Sequence, residues 1–129
     1  MNKKTEHSLQ SGCIKWFRMQ YPKLRLNLFA IPNGAKRDFL TGKFYVREGL
    51  TKGVADCFLS VMSGGYGGVW IEFKSKTGKQ SPEQKDFELA QLSSGYAYWI
   101  IRDFDSFRKA VQVYLEKDMI IPKFQAELV

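Results

Sequence analysis

Glu72 and Lys74 stand two residues apart in the otherwise apolar run G-V-W-I-E-F-K-S-K (68–76), and G-V-A-D (53–56) ends on a second carboxylate, Asp56. In an extended strand alternate side chains face the same way, so Trp70, Glu72 and Lys74 share one face while Val69, Ile71 and Phe73 share the other. D-C-F-L-S-V (56–61) is a second strand-like run, joined to the first by M-S-G-G-Y-G-G, whose glycines supply the positive-φ positions of a tight reversal. If that hairpin closes symmetrically, with Val61 opposite Val69, Asp56 falls opposite Lys74 and diagonal to Glu72 on the same face. Two carboxylates and one amine then converge. A hard divalent cation such as Mg²⁺ takes oxygen ligands of this kind, one or two carboxylates completed by water and a substrate phosphate. Held there, it would neutralise charge on a scissile phosphate and lower the pKa of an attacking water, with Lys74 beside it to orient that water and stabilise developing negative charge. The chemistry is phosphodiester hydrolysis. Taken alone, however, E-x-K is also the pattern of an ordinary exposed strand pair, which contributes a few tenths of a kcal/mol.

The elements that must position these groups follow from periodicity and punctuation. Residues 5–20 carry Leu9, Cys13, Ile14, Trp16 and Phe17 near helical spacing, and Tyr21-Pro22 ends that helix. In L-R-L-N-L-F-A-I (24–31), Leu24, Leu26, Leu28 and Ala30 alternate with Arg25 and Asn27, the period of a half-buried strand, and Pro32-Asn33-Gly34 stops it. The segment 35–52 is basic and irregular, with Phe39, Leu40, Phe44 and Tyr45 as apolar anchors and a helical turn near 44–49. S-P-E-Q-K-D-F-E-L-A-Q-L-S-S (81–94) is a helix with Ser81 at the N-cap, Pro82 at the first position, Gln84 at the third and Gly95 as its stop. Y-A-Y-W-I-I-R (96–102) is a strand, and Asp105 is placed to cap the last helix, S-F-R-K-A-V-Q-V-Y-L-E-K. The order is α-β-β-β-α-β-α, an α/β fold with a mixed sheet flanked by helices.

Composition narrows the classes. A chain of 129 residues with 44% hydrophobic content builds one core, so residues 1–129 are expected to form a single domain. No apolar run reaches the roughly 18–20 residues of a membrane span, and the start M-N-K-K-T-E-H-S-L-Q has no signal-peptide core, so a cytoplasmic location, in a bacterial or phage-infected cell, is expected. Cys13 and Cys57 are far apart and form no C-x-x-C pair, which reads as two small core residues. His7 is the only histidine, which leaves His-based zinc and HNH-type sites without ligands, and it reads as a helix-face residue. There is no G-x-S-x-G nucleophile elbow, and M-S-G-G-Y-G-G does not fit a phosphate-binding loop. Trp16, Phe17, Tyr96, Tyr98 and Trp99 fall at helical or strand period and are assigned to packing in preference to base stacking. The formal charge of +7 favours a polyanionic partner, with nucleic acid foremost, although a basic pI also serves solubility alone. Because the basic residues are spread along the chain, the fold must assemble any DNA-binding surface, for which Lys36, Arg37, Lys52, Lys76 and Lys79 are the candidates.

G-V-A-D, a glycine-rich turn, I-E-F-K and S-P-E-Q, in this order and at hairpin-and-helix spacing, resemble the virus-type replication and repair nuclease domain, VRR-NUC, a branch of the PD-(D/E)XK nuclease superfamily. The likeness extends over nearly the whole chain. It implies a PD-(D/E)XK-like sheet in which Asp56 and Glu72 bind Mg²⁺, with Mn²⁺ able to substitute, Lys74 assists the nucleophilic water and Gln84 supports the site. Gln84 equally fits a capping-box partner of Ser81. By position in the first helix Glu6 matches the family glutamate, and Gln10 lies one turn further along the same face. Two features depart from the pattern: Ala55 stands where many relatives have proline, and 35–52 is matched only through Pro32-Asn33-Gly34 and Lys36-Arg37. The resemblance implies an Mg²⁺-dependent endonuclease acting on structured DNA, in the manner of a Holliday-junction resolvase. Stand-alone phage-type members of similar size are homodimers that cut four-way junctions, and Phe39, Leu40, Phe44, Tyr45, Met119, Ile120 and Ile121 are available as interface or as core cover. The alternatives are a non-catalytic DNA-binding domain and a monomeric flap or single-strand nuclease; a sequence-specific restriction-type cutter would need more chain for base readout.

Overall fold

The computed structural model describes residues 2–32 and 47–116. Lys36, Arg37, Phe39, Leu40, Phe44, Tyr45, Met119, Ile120 and Ile121 lie outside the described residues, as does most of the segment expected to be irregular.

Helix α1 (Asn2–Gln20) is followed by a short 3₁₀ turn (Pro22–Leu24), strands β1 (Leu28–Ala30), β2 (Cys57–Leu59) and β3 (Val69–Phe73), helix α2 (Pro82–Ser93), strand β4 (Ala97–Ile101) and helix α3 (Phe104–Glu116). Among the described residues the order is the α-β-β-β-α-β-α expected. The sheet runs β1-β2-β3-β4, with antiparallel pairs β1–β2 and β2–β3 and a parallel pair β3–β4 bridged by α2. One face of the sheet carries Leu28, Cys57, Leu59, Val69, Ile71, Phe73, Ala97 and Ile101, and these bury against Cys13 and Phe17 of α1 and Phe107, Val111, Tyr114 and Leu115 of α3. Cys13 and Cys57 are free thiols in that core, where burial pushes both up to about 12, so they are small packing residues as expected. Helix α2 covers the other face. It buries no residue completely and is seated by Phe87, whose ring meets Trp70 at 5.1 Å and Tyr98 at 6.3 Å. No helix among the described residues is long and apolar enough to cross a membrane.

Residues 24–31 do not form the single strand that their alternation predicts. Pro22 starts a 3₁₀ turn, Leu24 N–H bonds Tyr21 C=O and Asn27 N–H bonds Leu24 C=O, so extended backbone begins only at Leu28. Leu24 reaches the core from that turn while Leu26 is left 82% exposed. The hairpin register also differs from the symmetric closure: Leu59, not Val61, faces Val69. The reversal is the Ser63–Tyr66 bridge around Gly64 and Gly65 (φ +58° and +87°), with Ser60, Val61 and Met62 on one arm against Gly67 and Gly68 on the other. A shift of two residues leaves every side chain on its expected face. Gly68 leaves no room for a side chain without a shift of its neighbours: a Cβ there would lie 2.6 Å from the Phe58 ring and 2.9 Å from Leu59 C=O. Helix α3 begins two residues earlier than expected, and its N-terminus is capped by Asp103, whose Oδ1 accepts from Ser106 N–H at 2.7 Å. Asp105, the expected cap, instead pairs with Arg108 and Lys109 on the exposed helix face.

Candidate active site

In the observed register Cys57 pairs with Ile71, and continuing it one residue beyond β2 puts Asp56 opposite Glu72 and not opposite Lys74. Directly opposed positions lie nearer each other than the diagonal placement expected from symmetric closure. Asp56 stands at the start of β2, where its C=O accepts from Ile31 N–H at 2.8 Å and its Oδ2 accepts from Phe73 N–H at 2.7 Å. Burial pushes its carboxyl above the usual range, the Phe73 N–H works against that, the charges of Glu72 and Glu6 raise it further and Lys74 lowers it. Glu6, Asp56, Glu72 and Lys74 therefore share one local field.

Glu72 is 0% exposed. Its Oε1 accepts from the Tyr98 hydroxyl at 2.6 Å and from Gln80 Nε2 at 3.4 Å. Its Oε2 is buried and has no hydrogen-bond partner among the described residues. A carboxylate oxygen withdrawn from water without a partner is costly, and a cation is the partner that would satisfy it. Among the described residues no group of three or more His, Cys, Asp or Glu side chains is placed to hold a metal ion. The Asp56–Glu72 pair suits an ion that takes one or two carboxylates and completes its shell with water and phosphate, the habit of Mg²⁺.

Lys74 follows β3 on the Glu72 face, with its backbone N–H bonded to Ile101 C=O at 2.9 Å. It is half-buried, and no ion pair among the described residues uses its ammonium. The loop beyond it is held from two sides. Glu6 Oε2, from α1, accepts from Ser75 N–H at 3.1 Å, and Arg102, at the end of β4, donates to Ser75 C=O at 2.6 Å and Gly78 C=O at 2.8 Å. Glu6 thus enters the site as a loop anchor whose charge also reaches Asp56. Gln10, one turn on, donates to Cys57 Sγ at 3.4 Å, behind Asp56.

Gly53 ties G-V-A-D to S-P-E-Q. At φ +94° it lies so close to the first turn of α2 that a Cβ would come within 2.5 Å of the Glu83 backbone. At that helix start, Ser81 Oγ accepts from Gln84 N–H at 3.1 Å and Gln84 Oε1 accepts from Ser81 N–H at 2.9 Å, a complete capping box. Of the two roles open to Gln84, the cap is the one its Oε1 fills. The glutamine that touches Glu72 is Gln80, whose Nε2 also donates to Glu88 Oε1 at 3.0 Å.

Sequence reasoning missed Gln80, Glu88 and the hydroxyl of Tyr98. Tyr98 packs as assigned, yet the parallel pairing of Trp70 with Tyr98 also brings its phenol to Glu72. Burial and the Glu72 bond push that phenol well above its ordinary value, so it remains a donor. The one available signal was a polar-tipped aromatic in an otherwise apolar strand. Lys52, Lys76 and Lys79 are exposed, and His7 is an exposed residue of α1.

No family model and no curated protein matches this chain. Among solved structures, one described as "VRR_NUC domain protein" superposes with a TM-score of 0.75 over 87% of this chain and 88% of that chain, at 22% sequence identity. At that identity the likeness is one of fold: the chain has the mixed α/β fold of a VRR-NUC domain.

Proposed function

We propose that this VRR-NUC-fold chain is a divalent-metal-dependent deoxyribonuclease that hydrolyses phosphodiester bonds in structured DNA, as a Holliday-junction-type resolvase acting as a homodimer. The observation that carries the reading is the placement of Asp56, one register step beyond Cys57–Ile71, across from Glu72, whose Oε2 is buried without a hydrogen-bond partner among the described residues, on the strand face that continues to Lys74. Mg²⁺, or Mn²⁺ in its place, would supply charge neutralisation at the phosphate and a lowered water pKa. Asp56 and Glu72 hold the anionic side of the site. Phe73 N–H and the Tyr98 hydroxyl fix one oxygen of each carboxylate, and the other oxygen of each would remain for ligation. Lys74 orients the water and offsets negative charge as the water oxygen bonds to phosphorus, a bridging P–O bond breaks, and the departing oxygen gains a proton. Lys52, Lys76 and Lys79, exposed near the loop and the start of α2, contribute to backbone contacts. A two-fold pair of such sites matches the symmetric nicks that a four-way junction requires.

The test is incubation with four-way, flap, splayed-arm and linear DNAs in Mg²⁺, Mn²⁺ or EDTA, with light scattering over a concentration series. Paired nicks in the junction by a dimer support the proposal. A monomer that nicks one strand would make the protein a flap or single-strand nuclease, and binding without cleavage would leave a DNA-binding domain.

A further inference from the structure

Glu72 is fully buried, yet its two oxygens are treated unequally: both neighbouring donors address Oε1 and none among the described residues addresses Oε2. The donors also differ in strength. Gln80 Nε2 is 3.4 Å from Oε1, beyond a good hydrogen bond, and makes its shorter contact, 3.0 Å, with Glu88. The Tyr98 hydroxyl is at 2.6 Å, a charge-assisted bond. The Tyr98 ring has little freedom to move, because it lies beside Trp70 in the parallel register and Phe87 packs against both.

We infer that Tyr98 is the positioning residue of the Glu72 carboxylate: by occupying Oε1 from a packed ring, it sets the carboxylate plane and leaves Oε2 as the ligand atom. The inference rests on the metal-site reading above. A carboxylate free to rotate about its last torsion would share both oxygens among several orientations, and an ion that requires a fixed geometry would bind it less tightly.

Tyr98→Phe removes the hydroxyl and keeps the ring. Mn²⁺ binding is read directly by electron paramagnetic resonance of the free ion, without DNA, alongside thermal melts that report the fold. The Mn²⁺ dissociation constant is expected to rise about 10- to 100-fold, while Gln80→Ala changes it less than about threefold, as expected from its longer contact. Added to Glu72→Gln, the Tyr98→Phe change should alter residual Mn²⁺ affinity no further, an outcome that a general packing role would not produce. Tyr98→Phe with wild-type Mn²⁺ affinity would overturn the inference and leave the metal site standing. Wild-type protein that binds no Mn²⁺ would overturn the metal-site reading, and the inference with it.

Discussion

Glu72→Gln should make the metal-free protein more stable. Glu72 is 0% exposed and lies across from Asp56 where the β2–β3 register is continued one residue, and Asp56 is a carboxyl that burial pushes upward and the Glu72 charge raises further. Directly opposed residues have Cβ atoms about 5 Å apart, and two unit charges at that separation repel by about 3 kcal/mol at an effective dielectric of about 20. Protonation and partial hydration of Asp56 reduce this, so a net gain of about 1–2 kcal/mol is expected for the glutamine, which keeps the shape and an acceptor for Tyr98. For a chain of this size that corresponds to a rise in Tm of about 3–10 °C. Saturating metal should reverse the order: at 100 times its dissociation constant an ion adds about 2.7 kcal/mol to wild type and little to the variant. Circular-dichroism melts of both proteins in EDTA and in Mn²⁺ read the crossing directly. A variant that melts below wild type in EDTA, or equal metal-induced shifts for the two, would refute the reasoning.

Lys74→Ala should abolish turnover and leave DNA affinity nearly intact, since one lysine among many adds little to phosphate-driven binding; equal losses in rate and binding would count against its role at the water. Arg102→Ala removes a charged donor from Ser75 and Gly78 carbonyls, which should cost about 1–2 kcal/mol and speed hydrogen exchange across the loop from Ser75 to Gln80; unchanged exchange there would show that the Glu6 anchor suffices. Asp56 has a raised folded pKa, so its contribution to stability is present below the unfolded value of 3.8 and is lost as pH rises through the folded value. Metal-free wild type should therefore lose stability relative to Asp56→Asn as pH rises above the usual carboxylate range, and parallel pH profiles for the two proteins would refute the shift.

Local chemistry was legible wherever the residues concerned are close in sequence. The capping box at Ser81 and Gln84, the stop at Gly95 (φ +91°) and the alternation that puts Glu72 and Lys74 on one face are all set within a few residues. What escaped depends on distance along the chain. The contact of Tyr98 with Glu72 spans 26 residues and exists only because β4 pairs in parallel with β3 in one register, which no local pattern specifies. The hairpin register was missed by two residues because the arms of the turn are unequal, and Ser63 and Val61 are tied to Tyr114 of α3. The first strand was overextended because a leucine alternation reads alike in a strand and in a turn that sends Leu24 into the core and Leu26 into solvent. At α3 two aspartates, Asp103 and Asp105, compete for the cap, and residue type alone does not choose between them.

The cation site proposed at Asp56 and Glu72 is tested by end-labelled four-way junction incubated with wild type and Asp56→Asn, each in Mg²⁺ and in EDTA. Asparagine retains an oxygen for the Phe73 N–H and removes the anion, so the fold is kept while the proposed ligand is lost. Cleavage should occur only for wild type in Mg²⁺, and the variant should be slower by more than about a hundredfold. Equal cleavage by wild type in EDTA, or a wild-type rate for Asp56→Asn in Mg²⁺, would show that these carboxylates do not form the cleaving metal site.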